Sequence, residues 1–348
     1  MIESIKFSNF KSLRDTILPL RPFTLILGAN ATGKTTALQA FQLIQGSLES
    51  EFKKFLSFTA LNESEIHLKV LSKGKQLLLE TEIIWTRGNR IVRHDKPLDP
   101  PSFDETSLAP NIILLQQDQD QLIRNLNGFQ NYNLNATCIS RPVLLKPYLK
   151  LMNDGSNLAG IWDNLRDVEP EKFEALNQEL NRWLPEFDRI LFETPSDGSR
   201  SFLLRLKSGK HKIPASELSQ GTLFTLVFVT LAYLPNPPSI LGIEEPDRGL
   251  HPRLIPELQN ALYRLSYPEL FGESRSPIQI VATTHSPYFL SLFKNRAEEV
   301  VIAHKENAEV KFSKLSEYGN CKEIFSVFQA EGFWKNGVFQ NKIESFQI

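Results

Sequence analysis

Apolar and polar positions alternate at the start of the chain, Ile5 and Phe7 against Lys6 and Ser8, which predicts a half-buried strand. Leu18 to Leu27 predicts a second strand, centred on Phe23-Thr24-Leu25-Ile26-Leu27 and entered through Pro22. A glycine-containing loop follows. From Lys34 to about Gln45 the spacing becomes helical, with Gly46 as the expected C-cap. Residues from about 60 to 95 change character. Glu65 to Leu71, Gln76 to Arg87 and Arg90 to His94 are β-rich runs divided by Ser72-Lys73-Gly74-Lys75 and Arg87-Gly88-Asn89, the pattern of a meander. Lys96-Pro97-Leu98-Asp99-Pro100-Pro101 then reads as a surface loop.

Helical patterns dominate from about 110 to 185. Pro170 to Leu184 carries Phe173, Leu176, Leu180 and Leu184 at helical spacing. No heptad persists for three repeats, which argues against a coiled-coil arm. Phe187 to Glu193 and Ser201 to Lys207 flank Ser196-Asp197-Gly198 and read as a hairpin. From 218 onward the order alternates: helix Ser219 to Leu234, strand Ser239 to Ile243, helix Pro252 to Ser266, strand Ile278 to Thr283, helix Pro287 to Lys294, strand Glu299 to Ala303. Such alternation implies a parallel sheet covered on both faces. The first 46 and last 130 residues are expected to share that sheet, with the middle inserted.

Composition narrows the class. The 348 residues are 41% hydrophobic, ample for a core without disulfides or metals. Lys plus Arg total 39 against 40 Asp plus Glu, so a globally basic, histone-like binder is excluded while a local basic patch is not. Cys138 and Cys321 form no metal spacing and no disulfide framework, as expected in a reducing cytoplasm. The start lacks the uninterrupted apolar core of a signal peptide. The most apolar run, Leu223 to Leu234, is too short for a membrane span and reads as a buried core helix. A soluble cytoplasmic protein is expected.

Four segments carry chemistry. Gly28-Ala29-Asn30-Ala31-Thr32-Gly33-Lys34-Thr35 fits G-x-x-x-x-G-K-[ST] without a mismatch, after an apolar strand and at the opening of a helix. Its glycines let backbone amides curl around phosphate oxygens, the helix offers its positive end, Lys34 reaches the β- and γ-phosphates, and Thr35 supplies a hydroxyl for Mg²⁺. Glu244 and Glu245 end the apolar strand Ser239-Ile240-Leu241-Gly242-Ile243, at the sheet edge where ligands bind. Such a pair is commonly a solvated turn, but joined to the phosphate loop one acid can hold Mg²⁺ while the other activates water. His285 follows the apolar strand that runs into Thr283-Thr284 and precedes a helix. A lone histidine is more often structural; its place beside the acid-bearing strand reverses that. In Leu218-Ser219-Gln220-Gly221-Thr222, Ser219 is a good N-cap. Gly221 is costly at a helix start unless its backbone must approach something closely, and a second anion site is one such use.

Taken together, the chain resembles the RecF/SMC/ABC branch of P-loop ATPases, within its small AAA-like group. The resembling parts are Asn9-Phe10-Lys11-Ser12-Leu13, Gly28 to Thr36, Asp154 to Ala159, Leu218 to Thr222, Glu244 to Pro252 and Thr283 to Pro287. The resemblance implies an α/β P-loop fold like an ABC or SMC head, with a parallel core sheet, an antiparallel meander and a helical insertion. It also implies one split head: 1–60 an N-terminal lobe with the phosphate loop, 61–217 the insertion, 218–348 a C-terminal lobe with signature, Walker B and histidine switch. Two heads would sandwich two ATP molecules with C2 symmetry, each Lys34 loop (Gly28 to Thr36) facing Ser219 and Gly221 of the other. Glu245 would polarise the attacking water, Glu244 and Thr35 would hold Mg²⁺, His285 would sense the γ-phosphate, and Asp247 would lie in the loop crossing the dimer. A glutamine touching Mg²⁺ is expected at Gln116 or Gln117. The group usually has Asp or Gly at the Gln220 position and often a basic residue at that of Phe224, while Glu244 replaces the usual Walker B Asp.

Two functions compete. One is an ATP-driven dimer acting on DNA in repair or anti-phage defence; the other is an ATP-gated scaffold controlling a partner effector without binding DNA. Arg200, Arg205, Lys207, Lys210, His211 and Lys212 form the best basic cluster for the first, although such a cluster is usually a solvated hairpin. Membrane transport and phosphoryl-transferring kinase activity are weaker readings, the second opposed by Ser219 and His285. Roughly 60 residues follow His285, fewer than the appended nuclease of overcoming-lysogenization-type relatives, so the effector is expected to be another chain.

Overall fold

The structure is a computed structural model describing residues 1–48, 65–72, 75–79, 81–86, 90–95, 126–146, 150–195, 197–209, 211–306 and 309–318. Its contacts divide the chain into two compact units, Met1–Phe129 with Ser239–Gly242 and Gln279–Ile348, and Gln130–Pro238 with Ile243–Ile278.

In chain order the elements are β1 Ile2–Phe10, β2 Leu13–Pro19, β3 Phe23–Gly28, α1 Lys34–Leu48, β4 Glu65–Ser72, β5 Lys75–Leu79, β6 Thr81–Thr86, β7 Arg90–Asp95 and β8 Phe129–Tyr132. The short helix α2 (Ala136–Ile139), α3 (Leu158–Val168), α4 (Pro170–Trp183), β9 (Phe187–Glu193), β10 (Ser201–Leu206), β11 (Lys212–Pro214) and α5 (Gln220–Leu231) follow. Next come β12 Ile240–Glu244, α6 Ile255–Ser266, β13 Gln279–Thr284, α7 Pro287–Ser291, β14 Val300–Glu306 and β15 Glu309–Lys314.

The central sheet has the order β15-β14-β3-β13-β12-β8. Both β13 and β14 run parallel to β3, pairing Thr284 with Leu27 and Ala303 with Gly28, while β15 folds back antiparallel on β14. Every residue of β3 and β13 is buried, as a parallel strand covered on both faces requires. Strands from the first 46 residues and from the C-terminal part thus share one sheet, as the alternation predicts. Gln279 ties the two parts together: its amide donates to the Ile2 carbonyl at 2.6 Å and accepts from the Ile2 amide at 2.9 Å. A second, antiparallel sheet has the order β2-β1-β4-β5, and β6 pairs with β7. Ile5, Phe7, Phe10, Leu13, Ile26, Phe41 and Val301 form part of one apolar cluster of the first unit.

In the second unit α4 buries Phe173, Leu176, Leu180 and Trp183, and Asn177 accepts from the Ile190 amide at 2.8 Å, fixing α4 to β9. Helix α5 is buried all round from Leu223 to Leu231, the core helix its apolar run predicts. The segment Asp154-Gly155-Ser156-Asn157 forms the turn that leads into α3. Gly155 has φ 78°, and a side chain there would meet Ile139 at 2.7 Å. Asn157 accepts from the Met152 amide and donates to the Lys150 carbonyl, both at 2.7 Å.

Some local expectations shift. Helix α1 runs through Gly46 to Leu48, and Gly46 is not among the described glycines with positive φ, the conformation that would make it a C-cap. The run Gln76 to Arg87 breaks into β5 and β6, and β2, β8 and β15 are strands that the pattern does not single out. The segment from Pro252 opens as a 3-10 turn before α6 starts at Ile255, with Pro256 in its first turn. The proline-rich segment 96–101, Gln116, Gln117 and Cys321 lie outside the described residues.

Candidate active site

In the first unit, β3 ends at Gly28, where a Cβ would lie 2.5 Å from both the Ala303 carbonyl and the Thr32 hydroxyl. Only glycine fits. The loop then curls through two left-handed residues, Ala31 at φ 62° and Gly33 at φ 78°. Thr32 Oγ1 donates to the Ala29 carbonyl at 2.8 Å. Lys34, only 7% exposed, donates its ammonium to the carbonyls of Gly28 at 2.8 Å and Ala29 at 2.7 Å. A buried cation is thus held against the loop by the loop's own backbone. Asn30, Ala31 and Thr35 are exposed and Thr36 half-buried, so the Thr35 hydroxyl stands at the open start of α1. Fixed positive charge, a helix N-terminus and an accessible hydroxyl fit a polyphosphate with its Mg²⁺.

His285 belongs to the same edge. Since Thr284 pairs with Leu27 in the parallel register, His285 leaves β13 at the end where Gly28 leaves β3. It is half-buried and followed by Ser286, whose hydroxyl caps α7 by accepting from the Phe289 amide at 3.3 Å.

In the second unit, Glu244 closes β12 and accepts a hydrogen bond from the Asn131 amide group at 3.3 Å. Asn131 is 6% exposed, and among the described residues its buried Oδ1 has no hydrogen-bond partner. That orphaned acceptor beside a carboxylate suits a hydrated cation. Glu245 adopts φ 46°, a left-handed conformation that costs a non-glycine residue about 1–2 kcal/mol. The turn it starts is closed by Arg248 N–H donating to the Glu245 carbonyl at 2.9 Å and by Leu250 N–H to that of Asp247 at 3.2 Å.

The signature segment is in this unit as well. Ser219 caps α5, its hydroxyl accepting from the Thr222 amide at 3.1 Å, and it is exposed. Gly221 approaches the carbonyl of Gly249 so closely that a Cβ would collide with it. Gly249 itself has φ 75° and lies against the Gln220 side chain. The close approach expected of Gly221 is therefore made inside the chain, to the loop that carries Glu245.

Thus the structure gathers Gly28 to Thr36 and His285 in one unit, and Glu244, Glu245, Ser219 and Gly221 in the other. Asn131 is a neighbour of Glu244 that the sequence does not single out, while Arg248 and Gly249 lie in the segment Glu244 to Pro252 without an assigned role there. For Gly249 the signal was present, a glycine five residues beyond the first acid; for Asn131 none was. In the basic hairpin, Arg205 is paired bidentately with Asp188 at 2.8 and 2.9 Å, and Arg200 with the buried Asp163 at 2.9 Å. Lys207, His211 and Lys212 are exposed, and Lys210 is outside the described residues.

Residues 1–125 match the family described as "AAA ATPase domain", and residues 146–291 that described as "AAA domain, putative AbiEii toxin, Type IV TA system". In two parts, most of the chain thus matches AAA-type ATPase domain families, which supports a P-loop ATPase of the RecF/SMC/ABC type. The chain is 22% identical to an OLD nuclease of Thermus scotoductus, over 88% of its own length and 62% of the relative's. It is 20% identical to an ATP/GTP phosphatase of Helicobacter pylori, over 88% and 90%. It is 24% identical to the Septu protein PtuA of Bacillus mycoides, over 87% and 42%. It therefore spans less than two thirds of the first and third of these relatives. Among solved structures, the SMC head bound to the C-winged helix domain of ScpA matches with a TM-score of 0.55 at 14% identity, over 91% of this chain and 99% of that one. The SMC head with an extended coiled coil from Pyrococcus furiosus matches at 0.51 and 13%, over 94% and 99%. These establish the head fold: a mostly parallel core sheet with antiparallel strands around it. Among the described residues, no helix is long and apolar enough to cross a membrane.

Proposed function

We propose that the chain is a head that dimerises around two ATP molecules and acts on DNA, in repair or anti-phage defence. The observation that carries the nucleotide part is the Gly28–Thr36 loop, with Lys34 buried and donating to the loop carbonyls of Gly28 and Ala29. In this reading the loop amides and Lys34 hold the phosphates, Thr35 and Glu244 hold Mg²⁺, Glu245 activates water and His285 senses the γ-phosphate. The metal, when bound, neutralises charge on the phosphates. Gln116 or Gln117 is proposed as a further metal contact. Ser219 and Gly221 serve the partner head's nucleotide, and Asp247 lies along the dimer contact. Relatives carrying the name OLD nuclease support the DNA part.

The alternative, an ATP-gated scaffold for an effector protein, is favoured by one observation. Two arginines of the candidate DNA-binding hairpin are already spent on Asp163 and Asp188. Glu245→Gln with ATP and Mg²⁺ should elute from a sizing column as a dimer, and a monomer would count against the sandwich. DNA binding that weakens steeply with salt would support the first reading, because displaced counterions set that slope. No binding even at low salt would leave the scaffold.

A further inference from the structure

Arg248 lies in the turn after Glu245 and is approached from three directions within one unit. Its guanidinium stands 5.9 Å from the centroid of the Phe224 ring on α5, 3.4 Å from the carbonyl of Leu134 after β8, and 3.9 Å from the Glu245 carboxylate. Phe224 is 3% exposed and fixed in the core, whereas the Arg248 side chain is 51% exposed. As a surface ion pair alone, Arg248–Glu245 would stabilise little. The geometry gives it another use. Glu245 sits in a left-handed backbone conformation that its neighbours must maintain, and the same turn is wedged against α5 where Gly221 meets the Gly249 carbonyl.

We infer that Arg248 is a positioning residue: anchored on the face of Phe224, it orients the Glu245 carboxylate and makes that orientation depend on the place of α5. The two residues at which the signature segment departs from its group then share one task. Gln220 lies over Gly249 and Phe224 holds Arg248, so both grip the Glu245 turn. Movement of Ser219 and Gly221 would reach Glu245 through this grip, with no new contact to nucleotide. The inference rests on the reading of Glu245 as the water-activating residue.

The test compares Arg248→Ala, Arg248→Lys, Phe224→Leu, Phe224→Tyr and Glu245→Gln in the full chain. Arg248→Ala opens no core because its side chain is half in water, so the melting temperature should stay unchanged. Its kcat should fall about tenfold, the scale of a displaced reacting group, while nucleotide affinity stays within about twofold. Phe224→Leu should lower kcat similarly and Phe224→Tyr should not, since only the aromatic face is at stake. Adding Arg248→Ala to Phe224→Leu should cost little more, because the two act as one. In nucleotide-free protein, amides 245 to 250 should exchange hydrogen faster in Arg248→Ala, with Arg248→Lys between it and wild type. Wild-type kcat and wild-type exchange in Arg248→Ala, beside a Glu245→Gln protein that has lost turnover, would overturn the inference and leave the water-activating role intact. Normal turnover by Glu245→Gln would overturn both.

Discussion

The two candidate functional segments, one in each unit, are built on different principles. In the phosphate loop, the hydrogen bonds from Thr32 and Lys34 to the carbonyls of Gly28 and Ala29 are local, within a few residues of chain, although Gly28 also abuts the Ala303 carbonyl. The acid-bearing turn is assembled. Glu244 is held by Asn131 from 113 positions away, Gly221 meets Gly249, and Arg248 meets Phe224. A local motif can be recognised letter by letter, and damage to it should stay confined to phosphate binding. An assembled turn is invisible letter by letter, and damage to it should reach turnover from far along the chain, with stability falling as well only where a packed contact such as Gly221 against Gly249 is overfilled.

Substitutions can break or sharpen this contrast. Lys34→Ala should have the largest effect: losing the charge that faces the phosphates should weaken nucleotide binding about 100-fold or more, read by equilibrium titration, with the fold retained. Gly221→Ala comes next. Its methyl group meets a backbone carbonyl that cannot yield cheaply, so denaturant unfolding should report a loss of about 1–3 kcal/mol, accompanied by a drop in turnover. Were Gly221→Ala as stable as wild type, the intrachain wedge would be disproved. Asn131→Ala should raise the Mg²⁺ concentration needed for half-maximal turnover about tenfold, as loss of a partner that orients a metal ligand does. Binding of metal-free nucleotide should not change.

The smallest effect concerns Asp154, in the turn that leads into α3. Burial raises its carboxyl, but the Ser156 amide and hydroxyl donate to it and bring it below its ordinary value of 3.8. A depressed acid stabilises the fold above that ordinary value, and the gain is lost as pH falls through the lower, folded value. Asp154→Ala should therefore destabilise the fold at neutral pH, by a margin that narrows as pH falls below the folded value. A pH-independent difference would count against the hydrogen-bonded carboxylate.

This contrast also explains what the sequence made legible. Strands β3 and β13 were readable because a parallel strand buried on both faces is a continuous apolar run. Strand β8 was not, because Gln130 and Asn131 sit in a glutamine- and asparagine-rich stretch and only the sheet order reveals their place beside β12. Likewise Gly46 resembles a helix stop by composition, yet α1 continues through it. Gly221 was read correctly as a point of close approach, but its contact could not be named, since Gly249 is a neighbour only in the fold. Arg248 lies in the segment Glu244 to Pro252, which the sequence singles out, but with no role of its own there. Its meaning depends on an aromatic ring 24 positions earlier in the chain.

The claim that matters most is that the two segments divide the work, the loop holding nucleotide and the assembled turn hydrolysing it. Parallel measurement of nucleotide affinity and phosphate release in Glu245→Gln tests this most directly. Affinity should remain within about twofold of wild type while release falls about 100-fold or more, the cost of losing a positioned general base. Phosphate release at the wild-type rate would contradict the division.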